Sequence, residues 1–141
     1  MLGKAIAIAS EAFADKKDKG GQPYILHCLH VMHEVKSFGI EAMIAAVLHD
    51  LIEDTEWTAE QLISEGFKEH TVTIIKLLTH ADHEPYDDYI ERVSLNHIAR
   101  AIKKADLRHN SDITRMKGLR EKDFKRLEKY HRAYAYLCEV E

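Results

Sequence analysis

Apolar residues recur at three- and four-residue spacing along almost the whole chain, and no stretch alternates as a half-buried strand would. The spacing predicts a first helix over 2–14, ended by the charged, glycine-containing run from Asp15 to Gln22. Pro23 suits the start of a second helix over 24–37, with Gly39 as its C-terminal stop. A third is predicted over 40–53. It is apolar nearly all round as far as Leu48, and such a helix is expected to be buried. Thr58 followed by Gln61 is a capping-box pair, opening a short helix that ends at Gly66. Further helices are predicted over 69–78, 86–95, 97–110 and 121–139, with 79–85 as a loop and a less regular connection through Gly118. The expected class is all-α, a single compact domain over 1–141 with about seven to nine helices and no internal repeat.

The run His49-Asp50-Leu51-Ile52-Glu53-Asp54-Thr55 stands out against this pattern. On a continuous helix His49, Asp50, Glu53 and Asp54 share one arc roughly 140° wide. Buried together, three carboxylates and an imidazole repel and desolvate one another unless a cation neutralises them. His27 flanks the apolar stripe of the second helix, formed by Ile25, Cys28, Leu29, Val31, Met32 and Val35. A lone histidine there is usually structural, and a zinc site made by His27, His30 and His33 on one helix is a local alternative. His30 and His33 are expected to face solvent. In the helix over 97–110, Ile98, Ala101, Ile102, Ala105 and His109 form the inward stripe, while Lys103, Asp106 and Asn110 share the arc beside it. That trio is either pocket lining or a surface hydrogen-bonded cluster. Taken together, His27, His49, Asp50 and Asp106 offer two imidazoles and two carboxylates, which suit one borderline divalent ion (Mn²⁺, Fe²⁺, Co²⁺ or Zn²⁺) better than Ca²⁺. Glu53 and Asp54, one turn on, could orient or deprotonate a water. Their bland reading is helix-end solvation, though acids at a helix C-terminus oppose its dipole.

Composition narrows the class without deciding the chemistry. Hydrophobic content of 45% with 31% charged residues is that of a globular protein, and no run of 18 apolar residues suggests a membrane span. The N-terminus reads as an amphipathic helix rather than a secretory signal, since Ser10 and Glu11 interrupt it. Two cysteines, Cys28 and Cys138, within helical patterns read as reduced cytoplasmic thiols. The net charge of −4 is asymmetric: residues 100–132 hold twelve Lys and Arg against five Asp and Glu, the remainder eight against nineteen. Solvated helix faces explain this most simply. Attraction for a phosphorylated small molecule is the functional reading. Nucleic-acid binding ranks low, because acids are interspersed and no aromatic stacking platform is evident.

Three blocks carry a resemblance. Gly21-Gln22-Pro23-Tyr24-Ile25-Leu26-His27, then His49 to Thr55, then Lys103-Lys104-Ala105-Asp106-Leu107-Arg108-His109-Asn110 resemble, in order and spacing, the signatures of HD-domain metal-dependent phosphohydrolases of the RelA/SpoT alarmone-hydrolase type. The resemblance covers about residues 5–137. It implies an HD-domain helical fold, with His27, His49, Asp50 and Asp106 on a metal that is typically Mn²⁺. It also implies Glu53 and Asp54 activating the attacking water, Asn110 contacting the nucleotide, and Lys19 and Tyr24 beside the substrate pocket. In this reading Lys103, Lys19 and Arg115 would offset charge on phosphate oxygens, and Tyr130 either closes the pocket or, as is commoner for an aromatic in a C-terminal helix, belongs to the core. The implied reaction removes the 3′-pyrophosphate of guanosine tetra- or pentaphosphate, by a cytoplasmic, hydrolase-only protein. Alternatives are an adenosine alarmone or a nucleoside monophosphate as substrate, or a metal-held module that senses a nucleotide without cleaving it. Departures fall at Asp18-Lys19, where family members often carry Arg-Lys, at Phe13-Ala14-Asp15-Lys16, at Ser111-Asp112-Ile113-Thr114-Arg115, and at Cys28, where proline is frequent.

Overall fold

The computed structural model describes residues 1–141 and contains nine α-helices and no β-strand. They are α1 (Leu2–Ala12), α2 (Ile25–Glu34), α3 (Ile40–Val47), α4 (Leu51–Asp54), α5 (Ala59–Ser64), α6 (Glu69–Leu77), α7 (Tyr86–Ser94), α8 (His97–Asn110) and α9 (Glu121–Glu139). Short 3₁₀ turns occupy Lys36–Phe38 and Ile113–Arg115. The all-α expectation holds, and the helices over 97–110 and 121–139 fall on the predicted residues.

The core is built around α3. Ala42 through Leu48 are all buried, and α1, α2 and α6 pack against them, while α8 bridges to α2 and α9. Asn96 caps α8 by accepting the Ile98 and Ala99 N–H groups, which fixes where Asp106 falls along that helix. Thr58 and Gln61 form the expected reciprocal capping box on α5.

The helix predicted over 40–53 is broken. The His49 N–H bonds back only three residues to the Ala46 carbonyl at 3.2 Å, and Leu51 does the same to Leu48 at 3.0 Å. The His49 ring takes the same Ala46 oxygen at 2.6 Å. This tight turn ends α3 and restarts the chain as the one-turn α4. As a result His49 is buried and Asp50 partly so, whereas Glu53 and Asp54 are exposed rather than interior as the continuous helix implied. The second helix also stops early, at Glu34, and passes through a 3₁₀ turn to Gly39. Gly39 lies at φ 99°, ψ 176°, a conformation essentially confined to glycine.

The segment between α1 and α2 folds over the site instead of trailing in solvent. An isolated bridge joins Lys17 to Pro23, and a Cβ on Gly20 would collide with the Arg115 carbonyl, so this loop touches the 3₁₀ turn after α8.

Gly39→Ala should destabilise the protein by about 1–3 kcal/mol, because no atom crowds the position and the backbone alone resists. Gly3→Ala, in α1 with equally open space, should be neutral or stabilising by up to about 1 kcal/mol. Urea unfolding of both variants checks the contrast.

Candidate metal centre and its cavity

His27 comes from the first turn of α2, His49 and Asp50 from the turn after α3, and Asp106 from the third turn of α8. One ligand atom from each of the four lies within 4.8 Å of all the others. The His27 and His49 Nε2 atoms stand 3.0 and 3.3 Å from Asp106 Oδ1, and His49 Nε2 stands 3.1 Å from Asp50 Oδ2. His27, His49 and Asp106 are almost fully buried. The one-helix alternative fails: His30 and His33 are exposed and do not converge with His27.

Hydrogen bonds decide which ring nitrogen of each histidine faces the cluster. The Ala46 carbonyl can only accept, so His49 Nδ1 carries a proton and Nε2 is the nitrogen turned to the carboxylates, where its lone pair would meet a cation. His27 Nδ1 lies 2.8 Å from His109 Nδ1. Burial, then Arg115 and the neighbouring His27 and His30, push His109 down to about 4, so its ring is neutral at pH 7. His27 therefore presents Nε2 when its Nδ1–H donates to His109. His109 is itself stacked on His30, ring centres 3.8 Å apart. This is the arrangement by which metal-binding histidines are oriented.

Asp106 is more deeply placed than its marginal position on the helix suggested. Lys103 Nζ donates to its Oδ2 at 2.8 Å and Asn110 Nδ2 to its Oδ1 at 2.9 Å. Burial would raise its pKa, but Lys103 and the bonds from His27 and His49 outweigh that and hold it well below the usual range. Burial likewise opposes ionisation of His49, yet the attraction of Asp50 and the bond to Asp106 raise it well above normal. The two carboxylates thus stay ionised and draw positive charge. Two imidazole nitrogens and two carboxylate oxygens, buried and converging, fit a divalent cation.

Tyr24 donates its hydroxyl to Asp50 Oδ2 and packs under the Lys16 ammonium, 4.1 Å from the ring centre. Lys16 in turn pairs with Asp54 at 3.0 Å. Oxygens of Asp50, Glu53 and Asp54 also lie within 4.8 Å of one another, and Glu53 Oε1 accepts the His80 N–H at 2.6 Å. Glu53 is open to solvent as a residue, but its carboxyl faces the inner cavity; desolvation there, then the nearby Asp50 and Asp54, raise its pKa, with the His80 bond opposing.

Two cavities meet at this point and share Tyr24, Asp54, Asn110 and Tyr130. The inner one, about 300 Å³, contains Asp50, Glu53, Lys103 and Asp106. The outer one, about 400 Å³, is lined by Lys16, Lys19, Arg115 and Arg126. Every residue expected at the site therefore borders one of the two cavities or the buried cluster. Arg115 is not free: it donates to Asp18 Oδ2 at 3.0 Å and to the His109 carbonyl at 2.6 Å. Sequence reading missed Lys16, Arg126, Lys129, His80 and Tyr86. Arg126 lies one turn before Tyr130 on α9, a spacing that could have flagged it.

The HD-domain family model matches residues 5–119. The chain belongs to the HD-domain family. Relatives of this HD domain include the guanosine-3′,5′-bis(diphosphate) 3′-pyrophosphohydrolase of Aquifex aeolicus, 38% identical over 78 residues, or 54% of this chain and 11% of that protein. The Haemophilus influenzae protein of the same name is 42% identical over 60 residues, covering 41% and 9%. The chain spans about a tenth of the length of these curated relatives. Among solved structures, a metazoan orthologue of SpoT that hydrolyses ppGpp has the same fold, with a TM-score of 0.79 at 18% identity over 96% of this chain and 84% of that one.

Divalent ions should stabilise the HD domain. At a free Mn²⁺ concentration 100 times its Kd the gain should be about 2.7 kcal/mol, visible as a raised melting temperature that chelation reverses. Asp106→Ala should abolish that response, and His109→Ala, which removes no candidate ligand, should weaken Mn²⁺ affinity roughly 10–100-fold by calorimetry.

Proposed function

We propose that this HD domain, residues 1–141, is a metal-dependent phosphohydrolase that removes the 3′-pyrophosphoryl group of an alarmone nucleotide, guanosine 3′,5′-bis(diphosphate) first among them. The observation that carries the reading is the buried convergence of His27, His49, Asp50 and Asp106 beside the Glu53–Asp54 pair, at the junction of two cavities that carry cationic groups. The named activity of its relatives supports it. In this reading His27, His49, Asp50 and Asp106 hold one divalent ion, Mn²⁺ first and Zn²⁺, Fe²⁺ or Co²⁺ as alternatives. When bound, such an ion lowers the pKa of water and polarises a phosphoryl oxygen.

The remaining work falls to side chains. Glu53, anchored through one oxygen by the His80 N–H, keeps its other oxygen for a water. Its raised pKa suits it to take a proton from that water. Asp54 is held in place by Lys16. Water oxygen adds to the phosphorus next to O3′, the P–O3′ bond breaks with its electron pair going to O3′, and the proton removed from water returns to the products. These are a free 3′-hydroxyl and pyrophosphate. Lys103, with two N–H groups left after its bond to Asp106, offsets charge on the phosphoryl oxygens. Asn110, Tyr24 and Tyr130, common to both cavities, border the path from nucleoside to phosphate. Lys19 lies on the outer rim.

The base is a separate matter. Asp18 sits in the outer cavity, fixed by the Gly20 and Gln22 N–H groups at 2.9 Å each and by Arg115. In the proposed pose, with the phosphates at the inner cavity, the base would meet this ion pair, so an adenosine alarmone is the second reading. The proposal places the protein in the cytoplasm, where its unpaired Cys28 and Cys138 would stay reduced. No helix is long and apolar enough to cross a membrane.

Mn²⁺-loaded protein should release pyrophosphate from guanosine 3′,5′-bis(diphosphate), resolved chromatographically in a panel with the adenosine analogue and nucleoside monophosphates. Glu53→Gln should lower kcat by roughly 10²–10⁴-fold while metal affinity is retained. Release of orthophosphate alone, or no turnover of any nucleotide with metal bound, refutes the proposal.

A further inference from the structure

Of all buried side-chain polar atoms, one has no hydrogen-bond partner: the hydroxyl of Tyr86. Tyr86 opens α7 and lines the inner cavity. A buried, unpaired hydroxyl is costly and calls for a partner that the protein does not itself supply. The Lys129 ammonium, from α9, lies 4.6 Å from the centre of the Tyr86 ring and 5.5 Å from that of Tyr130. It makes no ion pair, and Lys103, Arg126, Arg132 and Lys19 all repel its charge. Burial first, then those four cations, lower its pKa, as befits a charge held in a positive field. Lys103, from α8, borders the same cavity with its own ammonium bonded on one side only, to Asp106.

These groups come from three helices that pack on one another, so they are fixed relative to the metal centre. The acids of the cavity belong to the other wall: Asp50, Glu53 and Asp54 cluster around α4, and Asp106 points into the His27–His49 pair. Opposite them stand the Tyr86 hydroxyl and the Lys129 ammonium, neither with a hydrogen-bond acceptor, and the Lys103 ammonium, whose one acceptor is Asp106. Only an acceptor-rich anion satisfies all three at once. The outer cavity joins this chamber through Tyr24, Asp54, Asn110 and Tyr130, so a ligand entering from there meets the cluster first and the basic wall beyond it.

We propose that Tyr86, Lys103 and Lys129 form a subsite for the terminal phosphate of a diphosphoryl group whose proximal phosphorus lies at the metal centre. The subsite rests on the hydrolase reading for its place in catalysis, and it makes that reading sharper. A substrate carrying a single phosphate at the cleaved position would leave Tyr86 and Lys129 unpaired, so the chamber selects a diphosphate over a monophosphate. Pyrophosphate is then a product held on both of its phosphates. Orthophosphate would be held at the metal centre alone.

Calorimetric titration of inorganic pyrophosphate and of orthophosphate into the cation-loaded protein tests this without turnover. One charge-assisted hydrogen bond is enough for the wild type to bind pyrophosphate at least about tenfold more tightly than orthophosphate, and for Tyr86→Phe or Lys129→Met to weaken pyrophosphate about tenfold while orthophosphate changes less than about twofold. Lys129→Arg should restore most of the loss. Equal affinity of the wild type for the two anions overturns the subsite, whatever the variants do. So does an equal loss of both anions in variants that still bind metal. If pyrophosphate shows the expected pattern but no nucleotide is cleaved, the subsite stands and the hydrolase proposal falls. If guanosine 3′,5′-bis(diphosphate) is cleaved but pyrophosphate shows no preference, the reverse holds.

Discussion

A single buried carboxylate, that of Asp106, ties this structure together. It accepts from Lys103 and Asn110 of its own helix and meets the Nε2 atoms of His27 from α2 and His49 from the turn after α3. An ionised carboxylate cannot be buried without such company, and removing the company would cost several kcal/mol. The packing of α8 against α2 and α3 is therefore both a hydrophobic and an electrostatic event. Leu107, Ala105 and Ile102 bury apolar surface on the same helix that delivers the charge. Fold and site share this constraint, and neither can be altered far without the other.

From that carboxylate the site extends in two directions. Toward solvent, Tyr24, Asp54 and Lys16 interlock by a hydroxyl, an ion pair and a cation–π contact, and lead into a cavity walled in part by the Asp18–Arg115 pair. Toward the interior, Lys103, Lys129 and Tyr86 build a basic, donor-rich wall. Between them lies the buried cluster where two imidazoles and two carboxylates converge. A phosphorylated nucleotide with its cleaved bond at the centre matches this order of chemistry, with the nucleoside outside and the phosphate chain inward.

Much of this was legible in the chain. Thr58 and Gln61 announced α5, and Gly39 announced the end of the second helical segment. The apolar stripes placed α8 and α9 at their observed bounds, because each of these signals is local. The break after Val47 was not legible, since its cause is a side-chain bond from His49 to the Ala46 carbonyl that periodicity does not encode. Its effect was to expose Glu53 and Asp54 while burying His49. The ligand set itself was suggested by residue type and strengthened by motif order, but spacing alone cannot bring residue 27 to residue 106. The Tyr86–Lys129 wall left no trace in the sequence, because it exists only where α7, α8 and α9 cross. His109, which reads as an ordinary inward-facing position, acquires its role from the 2.8 Å contact with His27.

The central claim is that four side chains from three separate regions grip one ion. Anomalous diffraction from crystals of the protein grown with Mn²⁺ tests it most directly. The expected result is one strong peak within bonding distance of His27 Nε2, His49 Nε2 and carboxylate oxygens of Asp50 and Asp106. A peak seated instead on Asp50, Glu53 and Asp54, or no peak in protein shown to be folded, would contradict it.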